Sequence, residues 1–203
     1  MLAAIETYNG EFFNLDPDDL SGVTIDNLAH ALSGVNRFNS HTKQMYSVAE
    51  HSVHVASMLP PELQLVGLLH DGSEAFIQDI PSPFKQFMPD YSAIESVIQN
   101  KVWKAFGLSP EWVDSVYSQV KAIDTMMCQV EAVQLLPSKG EGWASTHGHP
   151  GIFCLAPETA EGLFLYAFVR ISKGQYFTGA LTLDYLKTIV GDINAICTID
   201  QSN

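Results

Sequence analysis

In "LLHDGSEAFIQDIPSPFK", residues 68–85, a histidine and an aspartate stand side by side at the end of an apolar run; Glu74, Asp79 and Lys85 follow. His70 and Asp71 are costly to bury unless something bonds or binds them. In "SVAEHSVHVASML", residues 47–59, helical spacing puts Val48, His51, Val55 and Met58 on one face, so His51 points into an apolar stripe. His54 falls with Ser47, Glu50 and Ser57 on what reads as a solvated face. On the next helix Leu63, Val66 and His70 share a side, with Asp71 at the end. Further on, Val116, Val120, Ile123, Met127 and Val130 make an apolar face beside Asp124, one turn after Lys121. Alone, Asp124 would read as an i, i+3 ion pair with Lys121. Together, His51, His70, Asp71 and Asp124 form a mixed nitrogen and oxygen set for one divalent transition ion. Mn, Co, Fe and Zn all suit it, and the residues do not choose among them.

The motifs "VAEHS" (48–52), "LLHDGSEA" (68–75), "QDIPSPFK" (78–85) and "KAIDTMMC" (121–128) resemble the H…HD…D pattern of HD-domain metal-dependent phosphohydrolases. The likeness is greatest to small 5′-deoxynucleotidases and phage-type dATP triphosphohydrolases. It covers roughly residues 30–135; residues 1–29 and 137–203 do not bear on it. The resemblance implies a compact helical HD bundle with His51, His70, Asp71 and Asp124 as metal ligands. Glu74 and Asp79 would handle water and protons. Arg37 matches a substrate-binding arginine, and Phe38 stands where the deoxynucleotidases carry Trp. Lys85 and Lys121 correspond to phosphate-contacting lysines.

The expected reaction is removal of the phosphate chain from a deoxynucleoside triphosphate, dATP first, releasing deoxynucleoside and triphosphate. The alternative is a 5′-deoxynucleotidase acting on monophosphates. In another class stands a catalytically silent HD module that binds nucleotide. Similar proteins form dimers or larger rings, so a homo-oligomer is expected, in the cytoplasm (the host's, if phage-encoded).

Chemistry supports these roles independently. A bound divalent ion lowers the pKa of its water to around 7 in the best cases. Glu74, three residues past Asp71, is close enough to accept that water's proton, and Asp79 could protonate the leaving oxygen or fix a partner. His41, between Arg37 and His51, is a candidate substrate contact. His30 reads as structural, His147-Gly148-His149 as a surface feature of a Gly-rich loop, and Phe164, Tyr166 and Phe168 as packing or an oligomer interface.

These side chains need elements to hold them. Asn9-Gly10 between aromatic residues signals a small N-terminal hairpin. Thr24 caps a short helix that stops near Gly34, and a polar loop follows. Ser47 and Glu50 form a capping-box pair at the start of helix 47–59. Residues 62–71 and 90–106 read as helices separated by a rigid proline loop at 80–89. Ser109-Pro110-Glu111 starts a helix running to about Leu136, with or without a break. After a loop at 137–156, helices are expected at 157–172 and 179–190. The expectation is a single all-α domain over residues 1–203, the last two helices packing on the motif core.

Composition fits that picture. Hydrophobic residues make up 46% of 203 and charged residues 16%, as in a globular protein. Ten basic against twenty-three acidic residues leave a net charge of −13, which argues against a nucleic-acid polymer as partner. An anionic small molecule would need local cations or a metal. No apolar run approaches the ~20 residues of a membrane span, and the N-terminus lacks the features of a signal peptide. Cys128, Cys154 and Cys197 show no pairing pattern, so they read as reduced thiols and a thiolate zinc site is not expected.

Overall fold

Thr24 does what its type predicts: its hydroxyl accepts the Asn27 N–H and starts α1, Ile25–Gly34. The structure, a computed structural model, describes residues 4–142, 151–189 and 191. Strands β1 (Ala4–Glu6) and β2 (Phe12–Asn14) pair antiparallel with Ile5 opposite Phe13, and Gly10 takes the left-handed turn position at φ +80°. The helices that follow are α2 (Val48–Met58), α3 (Gln64–Leu69), α4 (Glu74–Ile77), α5 (Ser82–Lys85), α6 (Pro89–Ala105), α7 (Pro110–Leu135) and α8 (Pro157–Ser172). The fold is all-α with one short hairpin.

Helix α2 is the axis of the molecule. Every residue from Val48 to Ser57 is buried, and α1, α3, α7 and α8 pack around it. The expected wet face of Ser47, Glu50, His54 and Ser57 is therefore a correction. A helix hidden on all sides has no solvated stripe, whatever its polar residues suggest. The capping box is also only half made. Ser47 Oγ accepts the Glu50 N–H at 3.1 Å, but the Glu50 carboxylate turns away. It accepts the backbone N–H groups of Phe153, Cys154 and Leu155 at 2.9, 3.1 and 2.8 Å. The left-handed φ of +54° at Cys154 helps aim successive N–H groups inward, and the Phe153 ring stacks on His54 at 5.3 Å between centroids.

The stretch expected as one helix over 62–71 is a 3₁₀ turn at Pro61–Leu63, then α3, then turns through 70–73. His70 and Asp71 thus sit just past a helix end. Helix α3 approaches α2 closely because residue 67 is glycine: a Cβ there would lie 3.2 Å from the Ala56 Cα. The proline segment 80–89 is not all loop. It forms the single turn α5, and Pro89 opens α6, since proline fits the first turn of a helix. Helix α7 runs unbroken for 26 residues from its Ser109 cap. At the C-terminal end residues 183–189 are helical, whereas 179–182 are not.

The hairpin is fixed to the body through Phe13, which stacks on Phe76 at 3.9 Å. Buried Lys101 donates to the Asn14 carbonyl at 2.5 Å and lies 4.5 Å from the Phe13 ring centroid. His30 has the structural role expected of it, stacked on Tyr8 and 3.2 Å from Glu161 on α8. Phe164 is fully buried and Phe168 meets Phe106 edge-on, so the aromatic cluster of α8 packs the core. Cys128 and Cys154 are free thiols. His147, His149 and Cys197 lie outside the described residues. Among the described residues, no helix is long and apolar enough to cross a membrane.

Candidate metal centre

Three helices converge on one point. His51 comes from the middle of α2, His70 and Asp71 from the turn after α3, and Asp124 from the middle of α7. His51 Nε2 lies 3.2 Å from Asp124 Oδ1 and 3.6 Å from Asp71 Oδ2. His70 Nε2 lies 3.2 Å from Asp71 Oδ2 and 3.8 Å from Asp124 Oδ1. Ligand atoms of His51, His70 and Asp124 all fall within 4.8 Å of one another, and the three residues are buried.

The outer nitrogens of both rings are engaged. His51 Nδ1 meets Glu131 Oε1 at 2.5 Å, and His70 Nδ1 meets the Gly67 carbonyl at 2.8 Å. The inner nitrogens are not: His51 Nε2 and His70 Nε2 are buried without a hydrogen-bond partner. Orphaned buried polar atoms are rare and call for an explanation. Here the carboxylate oxygens are close but not aligned to accept, so nitrogens and oxygens border one shared space. Ligands 2.0–2.2 Å from a common ion are separated by roughly 3–3.5 Å, which matches these spacings. The donor set fits a divalent ion, with His51, His70 and Asp124 forming a buried group able to hold it.

Electrostatics agree. Burial works against charge on His70, but Asp71 and Asp124 outweigh it and push its pKa up to about 10. Burial and the Arg37 charge likewise lower His51, while Glu131 and Asp124 raise it further, for a net increase. Burial would raise Asp124 and Asp71; the neighbouring imidazoles instead hold both well below the usual carboxylate range. Positive charge is stabilised at the centre of this cluster.

Glu74, opening α4, is buried with Oε2 unpartnered. Burial, together with the charges of Asp71 and Asp79, drives its pKa far up. Asp79 is half-buried and raised by burial, with Arg37 pulling the other way. A cleft of roughly 470 Å³ opens beside the cluster, lined by His70, Asp71, Lys85, Tyr117 and Lys121 among others. Both lysines are at the cleft, and both are paired. Lys85 Nζ contacts Glu95 at 2.6 Å, and Lys121 Nζ contacts Asp124 Oδ2 at 2.6 Å. The two Asp124 oxygens thus face different partners, Oδ2 meeting Lys121 and Oδ1 the two histidines.

Arg37 is buried, its Nε on Glu131 Oε2 at 2.9 Å and one terminal nitrogen 3.5 Å from Asp71 Oδ2. Phe38, Asn39 and Ser40 follow it at φ 53°, 49° and 64°, three successive left-handed residues that are not glycine. Such positions cost about 1–2 kcal/mol each. They turn the chain so that the Phe38 ring lies 5.8 Å from the Arg37 guanidinium carbon. His41 ends this turn, exposed to solvent, and lines neither the cluster nor the cleft.

The sequence reading missed Glu131 and Tyr46. Glu131 is fully buried and also accepts the Tyr46 hydroxyl at 2.9 Å. Its signal was present: it lies seven residues after Asp124, on the same face of α7.

Compared with known proteins, the chain matches no family model. It is 32% identical over 177 residues to a protein of Escherichia coli (strain K12), YfdR, covering 85% of this chain and 97% of that one. The chain belongs to the YfdR family. The E. coli protein is itself described only as uncharacterized, so membership carries no activity with it. The match is longer than the stretch from residue 30 to 135 that bears the site motifs. The relation to YfdR is therefore one of nearly the whole chain.

Proposed function

We propose that this YfdR-family protein is a metal-dependent phosphohydrolase of deoxynucleotides, the class its motifs resemble. The observation that carries the reading is the pair of buried, partnerless imidazole nitrogens meeting Asp124 and Asp71 beside a lysine-lined cleft. His51, His70, Asp71 and Asp124 would hold a divalent ion, which when bound would supply an acidified water and a positive charge for a phosphoryl oxygen. Glu74 and Asp79 both have raised proton affinity, the direction expected of carboxyl groups that exchange protons in a site. Glu74 Oε2, the atom without a partner, is the site for the proton that leaves the water. Asp79 holds the proton for the departing oxygen. Lys85, Lys121 and Arg37 face the phosphate with the cations that the overall charge withholds.

Charge in the cleft bears on the substrate. Lys85 and Lys121 are already matched to Glu95 and Asp124, and Asp114 adds further acid to the lining. A monophosphate carries about two charges; a triphosphate carries more and would draw harder on lysines that are already paired. The geometry thus favours monophosphates over the triphosphates suggested by the motif likeness.

A product assay tests both levels. Chelator-stripped protein is given Mn, Co or Zn and offered the four dNMPs and four dNTPs, with nucleoside, phosphate, pyrophosphate and triphosphate resolved. Metal-dependent phosphate from monophosphates is the expected result. Intact triphosphate released from dATP would establish the other substrate class. Silence under every metal would leave nucleotide binding without catalysis.

A further inference from the structure

We infer that Glu131 is a positioning residue, which sets His51 as a ligand through its charge and ties that ligand to Arg37. This rests on the metal-binding reading above. A carboxylate only accepts hydrogen bonds, so Glu131 Oε1 at His51 Nδ1 requires the hydrogen to sit on that nitrogen. With Nδ1 taken by Glu131, Nε2 is the nitrogen left facing the space shared with Asp124. His70 reaches the same state through the neutral Gly67 carbonyl. His51 alone has an anion behind it, and an anion strengthens the imidazole as a donor to a metal.

The second Glu131 oxygen does different work. It receives Arg37 Nε at 2.9 Å, while the same guanidinium reaches Asp71 Oδ2 at 3.5 Å. The contacts close a ring that runs from Glu131 through His51 to the ligand cluster, then through Asp71 and Arg37 back to Glu131. Tyr46 holds Oε1 from a third side at 2.9 Å. Arg37 and Tyr46 both donate to Glu131, so each of its oxygens is held as an acceptor inside the core. Arg37 is therefore part of the scaffold behind the ligand cluster, bonded to Glu131 and Asp71.

The test uses the full-length protein and Zn²⁺ or Mn²⁺ alone. Glu131→Gln retains an acceptor for His51 but removes the charge, and it is expected to weaken metal affinity by about 10–100-fold. Circular dichroism and a thermal melt establish that the variant is folded. A merely structural Glu131 would shift the melt and leave the affinity of the folded protein unchanged, and that result overturns the inference. A wild-type protein that binds neither ion would overturn the metal reading and the inference together. Should the variant not fold, ¹⁵N NMR of the Zn²⁺-loaded wild type decides. A His51 with hydrogen on Nδ1 and zinc on Nε2 supports the role, and zinc on Nδ1 overturns it.

Discussion

Glu74 carries much of the testable chemistry at the level of single residues. It is 5% exposed, and its proton affinity is raised by burial and by two neighbouring acids. Glu74→Gln keeps the shape and removes the carboxylate that would take the proton. The expected outcome is a fall in kcat of about 10²–10⁴-fold, with metal affinity by calorimetry near the wild-type value. Full activity in that variant would move the proton handling to Asp79. His51 and His70 were legible in the sequence because histidine at an apolar helical position is conspicuous. Asp71 was read as the adjacent acid, and Asp124, an ion pair with Lys121 when taken alone, only as a member of the set. Glu131 was passed over, since its spacing of seven from Asp124 does not by itself part it from a solvated glutamate until Arg37, Tyr46 and His51 are seen to meet it. His54 was misread for the opposite reason. Periodicity assigns a wet side to any helix with polar residues on one face, and α2 has no such side.

Among the elements, the clamp from α2 to the segment before α8 makes the sharpest demand. Glu50 satisfies three consecutive N–H groups that are half-hidden from water. Glu50→Ala leaves them without an acceptor, at about 1–3 kcal/mol per unsatisfied group where water cannot reach. With partial access of solvent, the expected loss of unfolding free energy is roughly 2–4 kcal/mol, read from the urea midpoint at an unchanged slope. A loss below about 1 kcal/mol would mean that water replaces the carboxylate. Helix starts were readable from Thr24, Ser47 and Ser109, whose hydroxyls cap α1, α2 and α7. The clamp was not readable, because its donors are backbone groups about a hundred residues away and carry no side-chain signature. The short turn α5 was hidden by prolines that fit both a rigid loop and a helix start.

For the whole molecule, the net charge of −13 sets a far field that repels an anionic substrate. Salt screens that field over about 10 Å at 0.1 M, whereas ion pairs at short range in the cleft are screened less. The rate constant kcat/KM for a nucleotide is therefore expected to rise between very low and moderate ionic strength. A steady fall would show that Lys85, Lys121 and the ion govern approach from a distance. The all-α architecture and single-domain reading came from composition and helix caps. The bolting of the hairpin by Lys101 did not, as a lysine is the last residue expected inside a core.

The clamp on Glu50 has a further meaning when the chain is considered in the order in which a ribosome makes it. Glu50, His51 and His54 emerge early, on a helix destined for the centre of the protein. Their partners at Asp124, Glu131 and 153–155 emerge much later. Until then the nascent chain holds an acid and two imidazoles that have no interior to enter. A polypeptide that ends before residue 153 carries Glu50 without the three N–H groups that satisfy it in the finished protein.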